Sequence, residues 1–158
     1  MNEDRSGALI QGLIAGMIGY FVFVAFFAIL NLVSGAPAFH TASALGNALF
    51  DLGSSDDITA AIAYNGVHML ASLAMGTIAS FLILLVDLNP NVWYVVMFLF
   101  IAGLLYGVGL GGIVANELAG VVTWGQVVIV NVLAAVLSGA YLWKSHPMLK
   151  DRVRRVAD

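Results

Sequence analysis

The sequence predicts an all-α, polytopic membrane protein built as a four-helix transmembrane bundle. Hydrophobic residues make up 61% of the chain and charged residues 9%, against roughly 45–50% and 25% in soluble domains. No lysine or arginine occurs between Ser6 and Trp143. The chain therefore has no charged shell for a soluble fold and no basic face for nucleic acid. We expect residues 1–158 to form a single transmembrane domain.

Four apolar segments account for the predicted spans. The predicted spans are residues 8–33, 58–86, 92–115 and 121–143, with approximate bounds. Each is long enough to cross the bilayer, because about 20 residues of helix span its roughly 30 Å of hydrocarbon. Because backbone polar groups in lipid must be bonded within their own segment, these spans are expected to be helices. Proline and polar residues separate them at 34–37, 87–91 and 116–120.

The distribution of cations predicts the orientation. Five of the six lysines and arginines lie in the tail 144–158, and four spans return the chain to its starting side. The positive-inside rule then places both termini in the cytoplasm. We expect a bacterial or archaeal cytoplasmic membrane, with the basic tail anchoring the topology against anionic lipid. A docking site for a partner protein is the alternative role of the tail.

The first outer loop, 35–57, is too long for a simple connection. Within it, 41–50 is predicted to form a short amphipathic helix with Thr41 as its N-cap. Its apolar face would comprise Ala42, Leu45 and Leu49, with Ser43 and Asn47 on the opposite side. Such a helix would serve as a lid packed on the helix ends or as a binding or gating element.

Two pairs of segments resemble each other. Residues 14–18 resemble 101–105, and residues 68–76 resemble 131–139. This pattern predicts a duplicated helical hairpin, with the outer loop inserted in the first copy. Chance coincidence is the alternative, because alanine, glycine and leucine recur in any membrane helix.

Glycines four residues apart mark surfaces where membrane helices approach closely. The predicted interface glycines are Gly12 and Gly16 in the first span and Gly103, Gly107 and Gly111 in the third. They would pack the chain's own helices together, or they would dock on another membrane subunit. In the docking hypothesis, the first span adds Phe21, Phe23, Phe26 and Phe27 to the contact.

His68 is the candidate site residue within the spans. It lies near the middle of the second span, where an ionisable group is by default a functional hypothesis. Tyr64 lies one turn earlier on the same face. The pair would bind a quinone headgroup, relay a proton or supply one haem ligand. The structural alternative is a neutral histidine bonded to a neighbouring helix, for example at Asn131.

The outward side holds His40 and Glu117, together with Asp56 and Asp57. A carboxylate and imidazole cluster could hold a divalent cation, but the spacing matches no compact metal motif. We expect solvated or helix-capping acids there, and no metal site. No catalytic constellation occurs at a recognisable spacing, so an enzyme is not predicted.

Three functions remain. The leading hypothesis is a non-catalytic accessory subunit of a larger membrane complex, expected to be a respiratory or photosynthetic electron-transfer assembly. The second is a small homo-oligomeric channel or transporter that works through His68 and Glu117. The third is a quinone- or haem-binding membrane protein centred on His68.

Overall fold

The computed structural model describes residues 2–50, 57–117 and 121–145; side chains at 2–4, 90, 104, 106, 108 and 110–117 are outside the description. The described part is all-helical and has no strand, which confirms the predicted class. Its α-helices are α1 (Asn2–Val33), α2 (His40–Phe50), α3 (Asp57–Leu88), α4 (Trp93–Glu117) and α5 (Trp124–Ser145), with a 3₁₀ turn at Pro90–Val92. Asp51, Asp56 and the tail from 146 onward lie outside the described residues.

Three helices of the described part are long and apolar enough to cross a membrane. These are the segments Arg5–Val33, Asp57–Leu88 and Trp124–Ser145. In α4, the apolar stretch Trp93–Gly103 is shorter on the described residues, although the helix itself continues to Glu117. The three long helices fit an integral membrane protein whose outer surface contacts lipid.

The central helix of the fold is α1, which packs against both α3 and α5. Both pairs are antiparallel, since Gly12 lies beside Thr77 and Ser138 bonds to Ala15. The end that holds Asn31, Asp57 and Thr123 is called the α2 end, and the opposite end is called the Arg5 end. The remaining two helices pack on this core: α2 contacts mainly α3, and α4 contacts mainly α5.

Glycine contacts set the α1–α3 crossing. A Cβ added at Gly12 would lie 2.5 Å from Thr77 Cα, and one at Gly16 would lie 2.5 Å from the Ser72 carbonyl oxygen. Gly76 faces the backbone of both α1 glycines in the same way. Gly12 and Gly16 therefore pack within the chain, and their buried positions are not available for the partner contact that the docking hypothesis gave them.

The second predicted hairpin, formed by α4 and α5, does not repeat the close glycine contact between α1 and α3. In the sequence alignment of the two hairpins, Gly103 corresponds to Gly16 and Gly139 corresponds to Gly76. Yet neither Gly103 nor Gly139 has an atom within 4 Å of an added Cβ. The likeness in sequence does not extend to packing, so the duplication stays a prediction without structural support.

The α1–α5 contact places most of the predicted docking phenylalanines inside the fold. Phe27 is buried with Val127 and Val130, and Phe23 and Phe26 pack against the same cluster. Phe27 is therefore occupied by α5, whereas Phe23 and Phe26 are only partly buried; the expected partner contact through these rings stays a prediction. Phe21 is the exception, with 57% of its surface exposed.

The α5 helix begins with a reciprocal cap. The Thr123 backbone N–H donates to Gln126 Oε1 at 2.8 Å, and the Gln126 N–H donates to Thr123 Oγ1 at 3.4 Å. This Thr-x-x-Gln pattern is a capping box, which satisfies backbone donors that the first helical turn leaves unpaired. It explains why α5 starts at Trp124 rather than at 121.

The connection between α1 and α2 is organised by Asn31. Its Nδ2 donates to the Ala38 carbonyl at 2.9 Å, and its Oδ1 accepts from the Thr41 hydroxyl at 2.9 Å. Its backbone carbonyl accepts from the Ala36 N–H at 2.8 Å and from the Ser34 hydroxyl at 2.8 Å. One buried asparagine therefore folds the chain back after α1.

The predicted helix in the first loop forms, but its orientation differs from the sequence prediction. The buried side of α2 comprises Thr41, Ser43, Leu45 and Gly46, whereas Leu49 is 58% exposed. An added Cβ at Gly46 would collide with the Ala60 carbonyl of α3, so only glycine fits there. Thr41 is not the N-cap, because α2 begins at His40 and the Thr41 hydroxyl bonds to Asn31.

Candidate functional site

His68 of α3 is surrounded by aromatic rings. Its imidazole centroid lies 4.1 Å from that of Phe23 and 6.1 Å from that of Tyr20. The Tyr64 ring, one turn earlier in α3, lies 5.7 Å away and nearly parallel at 10°. The antiparallel α1–α3 packing brings Tyr20 and Phe23 to this position, whereas Tyr64 reaches it through helical spacing alone.

Polar groups beside His68 are bonded to each other or to backbone. The Tyr20 hydroxyl donates to Asn65 Oδ1 at 3.3 Å, and Asn65 Nδ2 donates to the Ala61 carbonyl at 2.8 Å. Asn131, which the sequence suggested as a partner for His68, donates instead to the Val127 carbonyl of its own helix at 2.8 Å. Within the described residues, ring contacts are therefore what holds the imidazole.

This arrangement bears on the expected cofactor role of His68 and Tyr64. A haem iron or a quinone oxygen must reach an imidazole nitrogen directly. Three rings have centroids within 6.1 Å of that of the imidazole, and these contacts do not show whether either ring nitrogen is open to a cofactor. The chemistry that the sequence assigned to the two residues stays a prediction.

A groove of about 760 Å³ lies next to this aromatic cluster, between α1, α2 and α3. Tyr20 and Asn65 form part of its wall, whereas His68 and Tyr64 do not. The other lining residues are Phe21, Val24, Pro37, Ala38, Phe39, His40, Ser43, Asp57, Ile58, Ala61, Ile62, Gly66 and Met69. The volume falls in the range of small-molecule sites.

The outer-face candidates separate into two groups. His40 lies on α2 and Asp57 begins α3, and both line the α2 end of the groove. Asp57 Oδ1 accepts a 3.3 Å hydrogen bond from Asn47 Nδ2. Glu117 is the last residue of α4, where side chains are outside the description. Among the described residues, no group of three metal-ligating side chains comes together.

The glycines of α4 differ from those of α1. Among the described residues, Gly103 has no neighbour within 4 Å of an added Cβ, and Gly107 meets only Asn131 Oδ1 at 3.8 Å. Gly111 lies on the same helix, in the part whose side-chain surroundings are not described. Gly103 and Gly107 are therefore not used for close packing within the chain.

Sequence reasoning placed Tyr64 and Asn65 near His68 but did not bring Tyr20 and Phe23 to this site. The i, i+4 spacing is visible in the sequence, whereas the α1–α3 register is fixed by where Gly12, Gly16 and Gly76 meet. Comparison with protein families, characterised proteins and solved structures finds no match to this chain. Its function is therefore inferred from its own geometry.

Proposed function

We propose that this chain is a non-catalytic integral-membrane accessory subunit that docks on a larger membrane assembly through α4. The observation that carries the proposal is the contrast between two glycine sets. Gly12 and Gly16 are buried against the α3 backbone, whereas among the described residues Gly103 has no neighbour and Gly107 meets only the Asn131 side chain, at an ordinary 3.8 Å. Small residues on membrane helices allow close backbone approach, and on α4 the chain itself does not use that approach.

The surroundings of α4 support the same proposal. Within the chain, α4 packs mainly on α5, so much of its circumference is free for lipid or protein. Leu99 and Phe100 lie four and three residues before Gly103, beside it on the helix surface, and are 46% and 41% exposed. Large apolar side chains beside open glycines offer the knobs and holes that a partner helix requires. The nature of the assembly is a question for the experiment below.

The proposal includes four spans with both termini in the cytoplasm. Arg5 and Lys144 are exposed at the same end of the helices, opposite Asp57. The gathering of these cations at one end agrees with the positive-inside rule. The 25 residues of α4 extend roughly 37 Å at 1.5 Å per residue, long enough to cross the hydrocarbon.

Native mass after gentle solubilisation tests the docking role. We expect the chain to extract as part of a large heteromeric particle, and Gly103→Leu to release it. Gly109→Leu is the matched control, because Gly109 lies on a different face of α4 and also has no neighbour within 4 Å of an added Cβ. A stable homo-oligomer of this chain alone, or equal effects of the two substitutions, would overturn the proposal.

The other two functions of the sequence analysis receive less support. A transporter through His68 requires polar groups along a path, and the described surroundings of His68 are the rings of Tyr20, Phe23 and Tyr64. A quinone or haem role is favoured only by the depth of the imidazole in its span. A Soret band or a co-purifying quinone that is lost in His68→Phe would revive it.

A further inference from the structure

We propose that the groove between α1, α2 and α3 binds a cationic amphiphile from the membrane. The positively charged head would lie at Asp57 and His40, and the apolar tail would extend along α3 to Met69. This inference is independent of the docking role of α4, because no residue of α4 is among the lining of the groove. Its support comes from the length, lining and charge of the groove.

The length of the groove matches one leaflet of a bilayer. Its lining on α3 runs from Asp57 to Met69, which is about 18 Å of helix at 1.5 Å per residue. One leaflet contributes about 15 Å of hydrocarbon. Asp57 starts a helix that is apolar enough to span, so the acid marks the membrane surface and Met69 lies near the midplane.

The wall of the groove is apolar along the part that would hold the tail. Phe21, Val24, Ile58, Ile62 and Met69 line it, and four of these side chains contribute branched aliphatic or thioether surface suited to an alkyl chain. The polar groups at mid-depth are Tyr20 and Asn65, which are bonded to each other. Because these two groups satisfy each other, the tail does not have to cover an unpaired polar atom there.

The charge of the groove selects the head. Asp57 is the one acidic or basic residue among its described lining, apart from His40. Because the sequence has no lysine or arginine from 6 to 143, an anionic head would find no cation to neutralise it. A positively charged head gains the Asp57 carboxylate and the exposed face of the Phe39 ring. Charge complementarity thus favours a cation.

The test uses the full chain in phosphatidylcholine nanodiscs. Equilibrium dialysis measures retention of radiolabelled dodecyltrimethylammonium, dodecyl maltoside and dodecyl sulfate, with empty nanodiscs as the baseline. We expect saturable excess binding of the ammonium compound only. Equal excess binding of all three compounds, or no excess binding of the ammonium compound, would overturn the proposal.

Two variants locate the site. Asp57→Asn should weaken binding by about tenfold, the order expected for one lost charge-assisted contact. Asp87→Asn makes the same charge change at the other end of α3 and should leave binding unaltered. Gly66→Leu should abolish binding, since Gly66 lines the groove and has open space for a side chain. Binding that survives Gly66→Leu, or that responds equally to the two aspartate changes, would contradict the site.

Discussion

The Thr41 hydroxyl donates a 2.9 Å hydrogen bond to Asn31 Oδ1, and both side chains are buried. This bond joins the first turn of α2 to the last turn of α1. It holds α2 over the start of α3, where Gly46 meets Ala60. The wall of the groove formed by α2 therefore depends on one asparagine and one threonine.

Thr41→Val should destabilise the fold by about 1–3 kcal/mol, because it leaves the buried Asn31 Oδ1 without its donor. Thermal unfolding in detergent, followed by circular dichroism, measures the change. Thr41→Ser is the control, since it keeps the hydroxyl and should unfold close to wild type. Equal loss in both variants would show that the methyl group, rather than the hydrogen bond, is what matters.

Gly76→Ala should separate α1 from α3 and cost about 1–3 kcal/mol, the usual cost of overpacking a close contact. The added methyl would meet the backbone of Gly12 and Gly16, which cannot rotate away as a side chain can. Gly139→Ala is the matched control in α5, where an added Cβ has open space. The unfolding midpoints of the two variants measure this difference in stability. Indistinguishable midpoints would contradict the close glycine contact between α1 and α3.

His68→Phe should fold with a stability within about 1.5 kcal/mol of wild type, since a ring replaces a ring among Tyr20, Phe23 and Tyr64. His68→Asp should lose about 2.5–3.5 kcal/mol, the cost of a charged carboxylate near the centre of a span. Denaturant titration in detergent measures both. If His68→Phe failed to fold, an imidazole nitrogen would be essential and the ring-packing account would be wrong.

Single cysteines test the proposed topology, because the natural sequence has none. A membrane-impermeant maleimide added to intact cells should label Ala48→Cys and Gly125→Cys but not Asn89→Cys. Ala48 and Gly125 are exposed at the α2 end, and Asn89 is exposed at the Arg5 end. Labelling of Asn89→Cys and Gly125→Cys from the same side would mean that α4 does not cross the membrane. Labelling after permeabilisation controls for accessibility.

The sequence was sufficient for the features that depend on local patterns. A loop helix was expected over 41–50 and α2 covers His40–Phe50, because the loop carries an amphipathic run between breakers. Tyr64 stacks on His68 as the i, i+4 spacing suggests. The capping box at Thr123 and Gln126 is not among the predicted features, and the last helix begins at Trp124 rather than at the predicted 121.

The features that depend on register could not be predicted. Thr41 has the chemistry of an N-cap, but a tertiary acceptor on Asn31 outcompetes the local backbone donors. Leu49 has the hydropathy of a packed residue, yet the tight contact at Gly46 turns α2 so that Leu49 points outward. Likewise, no local sequence pattern indicates that Tyr20 reaches His68. The two rings meet because the contact of Gly12 and Gly16 with Gly76 sets the register of α1 against α3.

The position of α1 between α3 and α5 imposes an order on biosynthesis. The Ser138 hydroxyl bonds to the Ala15 carbonyl across 123 residues of chain. At ribosomal rates of 5–20 residues per second, α1 waits roughly 6–25 s for α5 to be made. During that interval, α3 can pair with α1 through the glycines, while Phe27 faces lipid or a passing helix. The nascent chain therefore passes through a half-built stage in which the surface reserved for α5 is open to insertion factors.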